Sequence, residues 1–296
     1  MAEDAFTEHR PLLFTIAYEM LGSAADAEDV LQESYLRWSA VDPEEVEHPR
    51  AYLVRVVTRQ ALNHRRAVRA RREDYVGTWL PEPIRTAPDV SDDAVLAESV
   101  SMAMLLVLET LNPTERAVFV LHDVFGYTHG EIAASIGRNE AAVRQIAHRA
   151  RRHVHARRRR FAPDSAASRE VVRRFLHAAA TGEVQTLMDL LAPDAVQLSD
   201  GGGKAVAARR PLTGRADIAR FVLRVLRSTT EDTRIEYATY NGMPAARFVT
   251  GAALDWLVAF EVHDGRITGL YGVRNPDKLH RAEHVLPLDR GGRRPR

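Results

Sequence analysis

The residues best equipped for chemistry lie between Thr128 and His155. There Arg144, Gln145, His148, Arg149, Arg151 and Arg152 alternate with Val143, Ile146, Ala147, Ala150 and Val154. On a 3.6-residue period the second set makes an apolar stripe and the first a polar face. Guanidinium groups grip phosphate oxygens and the O6/N7 edge of guanine with two donors at once, and a glutamine amide matches adenine. The chemistry expected is nucleic-acid recognition, with the remaining arginines on phosphates and a steep loss of binding with salt. Small residues at 141, 142 and 147 keep the start of this helix slim, as entry into a groove about 12 Å wide demands. The competing reading is an arginine-rich solvated helix in an ordinary bundle.

Charge is unevenly spread. The formal net charge is +1, yet Arg55 to Arg72 holds seven arginines and no acid, and Arg144 to Arg160 holds eight arginines and no acid. Glu19 to Glu47 carries nine acids against Arg37. Two basic blocks in a nearly neutral chain imply local polyanion contacts. Lysine occurs only as Lys204 and Lys278, a bias that a GC-rich genome would produce as readily as selection for guanidinium chemistry.

Elsewhere the candidates thin out. Asp200, Asp255 and Glu261 have no histidine at a spacing that pairs them, and a lone acid on a strand reads as exposed or salt-bridged. No catalytic residue, cofactor or metal site is assigned. Asp200-Gly201-Gly202-Gly203-Lys204 invites a phosphate-loop reading, but lacks the second spaced glycine and the Ser or Thr after lysine. Three glycines instead permit a turn and close approach of another surface. The chain has no cysteine, which removes disulfides and thiolate metal sites.

These side chains need elements to hold them. Residues 4–72 read as amphipathic helices. Ser23-Ala24-Ala25-Asp26 has capping-box character and opens a helix to about Trp38, with Val30, Leu31, Ser34, Tyr35 and Trp38 inward. Asp26, Glu28, Asp29, Gln32 and Glu33 fall largely outward. Pro43 and Pro49 bracket a loop before the next helix. Residues 73–92 read as a linker punctuated by Pro81, Pro83 and Pro88, in which Trp79-Leu80 is expected to dock. Helices resume over 93–160, where Asn112–Glu115 and Thr128–Glu131 are successive capping signals, Gly137 supplies a turn and Asn139 caps the slim basic helix. That is a helix-turn-helix pattern. Past Pro163, helices at about 168–181 and 183–191 precede hairpins turning at Asn241-Gly242 and Asp264-Gly265. This block reads as α+β with a meandering antiparallel sheet. The glycine- and arginine-rich end, Arg290–Arg296, reads as disordered.

Asp26-Ala-Glu-Asp-Val-Leu-Gln-Glu33, with Tyr35 and Trp38, resembles the second conserved region of the extracytoplasmic-function (ECF) sigma factors, and residues 108–152 resemble the fourth. The resemblance implies that Asp26, Glu28, Asp29, Gln32 and Glu33 dock on RNA polymerase core, at the β′ clamp with the β subunit also engaged. It implies that Arg55, Arg59, Arg65 and Arg66 lie exposed beside the −10 element. It also implies that Asn139, Arg144, Gln145, His148, Arg149, Arg151 and Arg152 contact the −35 element of promoter DNA. Family members often carry Ile-Ala-X-Asn where this chain has Val56-Val57-Thr58-Arg59, so base preference at −10 does not carry over.

Three further segments resemble signatures of the ECF group that bears a fused SnoaL-like domain. They are Trp79-Leu80-Pro81-Glu82-Pro83, Asp200-Gly201-Gly202-Gly203-Lys204 and Asn275-Pro276-Asp277-Lys278-Leu279. The implied architecture is multidomain. Two all-α sigma domains (1–72 and 93–160, the second with the helix-turn-helix) flank the 73–92 linker. A cone-shaped α+β SnoaL-like domain of nuclear-transport-factor-like fold (168–285) and a disordered tail (286–296) follow. In that group the third domain is thought to regulate polymerase activity in cis, without a separate anti-sigma factor, and the three segments are expected to pack on one another. A small-molecule ligand of the C-terminal domain is compatible with such a fold.

No stretch approaches eighteen apolar residues, so no membrane span is expected. The first residues lack the pattern of a signal peptide, and the expected location is the cytoplasm. One alternative is a regulator that binds operators as a dimer without polymerase, its third domain holding a small ligand; the acidic Asp26–Glu33 helix argues against it. Another, a cyclase-like enzyme tethered to DNA, needs a carboxylate in an enclosed pocket.

Overall fold

The computed structural model of the chain describes residues 2–42, 45–73, 75–87, 93–157, 164–227, 229–230 and 232–292, with backbone alone at 2–4 and 68–73. It forms two compact units, one of residues 1–73, 104–158 and 287–296, the other of residues 74–103 and 159–286.

The first unit is helical. It opens with α1 (Ala2–Leu21), α2 (Ala24–Ser39) and α3 (Pro49–Glu73), which pack on one another. Ser23 Oγ accepts the Asp26 amide at 3.1 Å and so satisfies a donor that the first turn of α2 would leave orphaned. Val30, Leu31, Ser34 and Trp38 of α2 face inward, as do Leu13, Ile16 and Tyr18 of α1 and Leu53, Val57 and Ala61 of α3. After α4 (Ala94–Ser99), which lies in the other unit, α5 (Met102–Glu109) leads back to the helical unit, which it joins from Met104 on.

Next come α6 (Pro113–Phe119), a π-helical turn (Val120–Val124), α7 (His129–Ile136) and α8 (Glu140–Arg157). Asn112 with Glu115, and Thr128 with Glu131, both close reciprocal capping boxes. Gly137 ends α7 at φ 67°, a left-handed conformation that a Cβ would strain. Val143, Ala147, Ala150 and Val154 bury one stripe of α8.

The second unit is α+β. Helices α9 (Ala166–Thr181), α10 (Val184–Leu190) and α11 (Arg215–Arg227) accompany a six-stranded sheet. Its strands are β1 (Leu191–Asp200), β2 (Leu212–Thr213), β3 (Thr233–Tyr240), β4 (Met243–Thr250), β5 (Ala253–His263) and β6 (Arg266–Val273), in the order β2-β1-β6-β5-β4-β3. Phe175, Leu176, Leu187, Leu190 and Ile218 from the helices share one core with Phe248, Val258, Phe260, Ile267 and Leu270 from the sheet. Asn241-Gly242 and Asp264-Gly265 turn with positive φ at both residues, the requirement of a type I′ hairpin. The last helix, α12 (Pro276–Leu279), starts on an Asn275 cap.

Three expectations change. The sheet is mixed, because β1 runs parallel to β6 while β3–β6 form the antiparallel meander. The linker, expected to dock through Trp79-Leu80, is tied in beyond that segment. Thr86 N donates to Thr239 O, and Ile84 N to Asn241 Oδ1, so residues 75–87 belong to the α+β unit. The tail is tied to the helical unit as far as Gly292. Asp289 N donates to Thr15 Oγ1 at 3.1 Å, Arg290 to Val124 O at 3.2 Å, and Arg50 to Gly291 O at 2.9 Å. Pro88 of the linker, the end of the basic block at 158–160 and the tail residues 293–296 lie outside the described residues.

Candidate functional site

The exposed face of α8 carries Arg144, Gln145, His148, Arg149 and Arg152. Asn139 Oδ1 accepts the Ala142 amide at 2.7 Å and fixes the start of the helix. Glu140, in the first turn, pairs with Arg144 at 3.3 Å, an exposed i,i+4 pair of little energetic weight. Arg149 Nε sits 3.7 Å from Glu115. Arg151 differs from its neighbours: it is half-buried and its Nε donates to Asp123 at 2.7 Å. Burial pushes the Asp123 carboxyl up, against the opposing pull of Arg151. The face can therefore offer guanidinium and amide donors to a polyanion, while Arg151 braces α8 against the π-helical turn.

On α2, Asp29, Gln32 and Glu33 are exposed and Asp26 and Glu28 partly so. Glu28 pairs with Arg10 at 2.6 Å, Asp26 lies 3.0 Å from His64, and Glu33 accepts Gln60 at 2.7 Å. Neighbouring helices thus orient three of the five without neutralising the face.

The arginines of α3 do not form one exposed set. Arg66 is exposed, and Arg55 is half-buried with its guanidinium carbon 5.2 Å from the Tyr52 ring centroid. Arg59 reaches the C-terminal end of α7 and donates to Ala134 O and Ser135 O at 3.1 and 2.9 Å. Arg65 overturns the expectation of exposure. It is 8% accessible, donating to Met20 O at 3.1 Å and to both oxygens of Glu109. The cause is register, since Arg65 stands four residues after Ala61 on the buried stripe of α3. Arg116, wholly buried, bonds the same Glu109 and donates to Glu19 O at 2.6 Å.

In the α+β unit the three signature segments converge. Asp200 is completely buried and accepts Tyr75 OH at 2.5 Å, Leu80 N at 2.9 Å, Gly202 N at 3.0 Å and Lys278 Nζ at 2.7 Å. Lys278, itself buried, also donates to Leu80 O and lies 4.4 and 5.1 Å from the Trp79 and Tyr75 ring centroids. Such contacts between a cation and a ring face are attractive. Asn275 donates to Tyr75 OH at 2.8 Å and accepts Asp277 N at 3.1 Å. A Cβ on Gly202 would fall 2.3 Å from Asn275 Nδ2, so any larger residue there would have to displace the Asn275 amide from Tyr75, on a backbone at φ 59° that disfavours side chains.

Gly201, Pro81 and Leu279 are buried, Gly203, Pro276 and Asp277 are exposed, and Lys204 pairs at the surface with Asp277 at 2.5 Å. Burial, reinforced by the bond to Asp200, pushes the Tyr75 phenol far up, so it serves as a neutral donor. The cluster is a clasp of matched charges. Of the other acids, Asp255 is exposed, and Glu261 is buried with the Tyr271 hydroxyl donating to it at 3.0 Å.

Sequence reasoning missed four participants. Tyr75 stands in a polar stretch without periodicity. Glu109 and Arg116 look like ordinary helix charges. Asn241 reads as a turn residue, yet it is fully buried, accepting Ile84 N and donating to Val100 O at 2.8 Å.

Comparison with known proteins identifies the domains. Residues 5–72 match the family described as Sigma-70 region 2, residues 101–154 match Sigma-70, region 4, and residues 172–270 match the SnoaL-like domain. The chain is 38% identical over 292 residues to the ECF RNA polymerase sigma factor SigJ of Mycobacterium tuberculosis, covering 94% of this chain and 93% of that protein. It is 30% identical over 279 residues to the probable ECF RNA polymerase sigma factor SigI of the same species, covering 93% of each. The crystal structure of the M. tuberculosis extracytoplasmic function sigma factor SigJ superposes with a TM-score of 0.75 at 35% identity, covering 94% of this chain and 98% of that one. The helical elements are sigma regions 2 and 4, the α+β unit holds a SnoaL-like fold, and the chain belongs to the ECF RNA polymerase sigma factors.

Proposed function

We propose a division of labour within this alternative sigma factor, which directs transcription by binding RNA polymerase core and promoter DNA as its family does. The acidic face of α2 (Asp26, Glu28, Asp29, Gln32, Glu33) engages the core enzyme. Arg55 and Arg66, with Arg59 once it leaves α7, serve the −10 region. The exposed face of α8 serves the −35 element. The SnoaL-like domain sets the output in cis through the clasp of Trp79–Pro81, Asp200–Lys204 and Asn275–Leu279, without catalysing a reaction and without a separate anti-sigma protein. The protein works in the cytoplasm, where polymerase and promoter are; no described helix is long and apolar enough to cross a membrane.

One observation carries this reading: five basic or amide side chains stand exposed on the second helix of a doubly capped helix-turn-helix, within the interval matching sigma region 4. Run-off transcription by purified core polymerase tests it. Addition of the full chain is expected to give promoter-dependent transcripts that core alone does not. Truncation after about residue 160, or after Pro276, is expected to change their yield. Unchanged yield from both truncations would remove the regulatory role.

A further inference from the structure

Beside the β3–β4 hairpin a cavity of about 320 Å³ opens between the linker residues Arg85 and Thr86 and the start of α9. Its lining holds two cations, Arg85 and Arg169, and no carboxylate. Arg85 Nη1 donates to Glu283 O at 3.2 Å and Arg169 Nη1 to Asp164 Oδ2 at 3.0 Å. A guanidinium has five N–H donors, so each is steadied by one bond and retains others. Asp164, with a side chain 1% exposed, also accepts Thr239 Oγ1 at 2.7 Å, which ties the Arg169 anchor to β3. Asp164 balances one of the two positive charges and the cavity remains net positive. The rest of the lining is apolar or aromatic: Val172, Pro244, Ala245, Val285 and the half-exposed ring of Tyr237.

Guanidinium groups beside an apolar wall suit a ligand that joins a planar anionic group to a small flat hydrocarbon body. The volume is in the range of small-molecule sites. We propose that this cavity binds a small organic anion of the aryl carboxylate type. Because Arg85 and Thr86 belong to the linker, the bound anion strengthens the linker's attachment to the α+β unit. The site is separate from the Asp200 clasp, sharing none of its residues. It gives a chemistry to the ligand of the SnoaL-like domain, and only the effect on the linker rests on the regulatory reading above.

Titration calorimetry of the full chain at fixed ionic strength tests the site with three probes: benzoate, inorganic phosphate and the neutral analogue benzamide. Benzoate is expected to bind saturably at one site with a Kd on the order of 1 mM. Benzamide should give no saturable heat, and phosphate should bind about tenfold more weakly. Arg85→Gln should weaken benzoate about tenfold by removing a charged donor, with Arg85→Lys in between. Tyr237→Ser, at an exposed ring, should weaken it with no change in thermal midpoint, which guards against a folding artefact. Absence of saturable benzoate binding, or phosphate binding as tightly as benzoate, overturns the proposal.

Hydrogen exchange of residues 75–87 reads the effect on the linker. Benzoate should slow it, and exchange unchanged at saturation overturns that clause. Neither measurement uses polymerase, so their failure leaves the truncation experiment standing, and the reverse holds as well.

Discussion

Asp200 and Lys278 are two opposite charges taken out of water, and each is also hydrogen-bonded to the linker backbone. Removing one partner of such a pair leaves the other buried and uncompensated, at a cost of about 3–5 kcal/mol. Asp200→Asn is therefore expected to lower the stability of the α+β unit by that order, measured by urea unfolding of the full chain. Tyr75 adds a pH signature. Its phenol is raised above the ordinary 10.0 first by burial and then by Asp200. Its contribution is complete below pH 10.0 and is lost as pH climbs from there towards the folded-state value, because the unfolded chain ionises first. Tyr75→Phe should make the fall in stability above that pH shallower, as followed by denaturant midpoints. At this scale the sequence was partly legible. Trp79-Leu80 beside prolines asked for a docking partner, whereas Tyr75 carried no pattern. Arg65 could have been placed, since counting from Val57 and Ala61 puts it on the buried stripe, but an arginine-rich block invites the assumption of solvent.

At the scale of elements, α8 divides its arginines between exposed positions and the bracing position of Arg151. Arg152, exposed, is expected to act on phosphates, so Arg152→Ala should weaken holoenzyme binding about equally across promoters and reduce the salt slope by about 1, read by fluorescence anisotropy. Arg144→Ala should instead alter preference at one base pair; an equal loss on every promoter would make it another phosphate contact. Thr128 closes the box that starts α7, so Thr128→Ala should cost about 1 kcal/mol of helical-unit stability, visible in thermal unfolding. Most helices, though not α11, and the β3–β4 and β5–β6 hairpins were readable because capping residues and Asn-Gly or Asp-Gly turns are local chemistry. β1 was not. It follows α10 without a turn residue between them and contains Pro193, so neither periodicity nor punctuation marks the switch. Its parallel pairing with β6 joins residues some seventy positions apart, a partnership that no local window contains.

At the scale of the molecule, sigma regions 2 and 4 fold into a single helical unit. Glu109 binds Arg65 of α3 and Arg116 of α6, and Arg116 also holds a carbonyl of α1. Glu109→Gln is expected to loosen this junction, seen as a longer distance between dyes placed on α2 and α8. The two promoter elements are by name about 25 base pairs apart, roughly 85 Å at about 3.4 Å per pair. Arg59 spans the junction by bonding two carbonyl oxygens at the end of α7. The same guanidinium cannot hold those carbonyls while its helix and α7 lie on elements that far apart. On the proposed −10 role of Arg59, loading onto a promoter becomes an exchange reaction, in which intramolecular acceptors are surrendered and phosphate oxygens are gained. Added salt weakens the phosphate contacts of that exchange far more than the largely buried Glu109 pairs, so the isolated protein should stay shut as ionic strength rises.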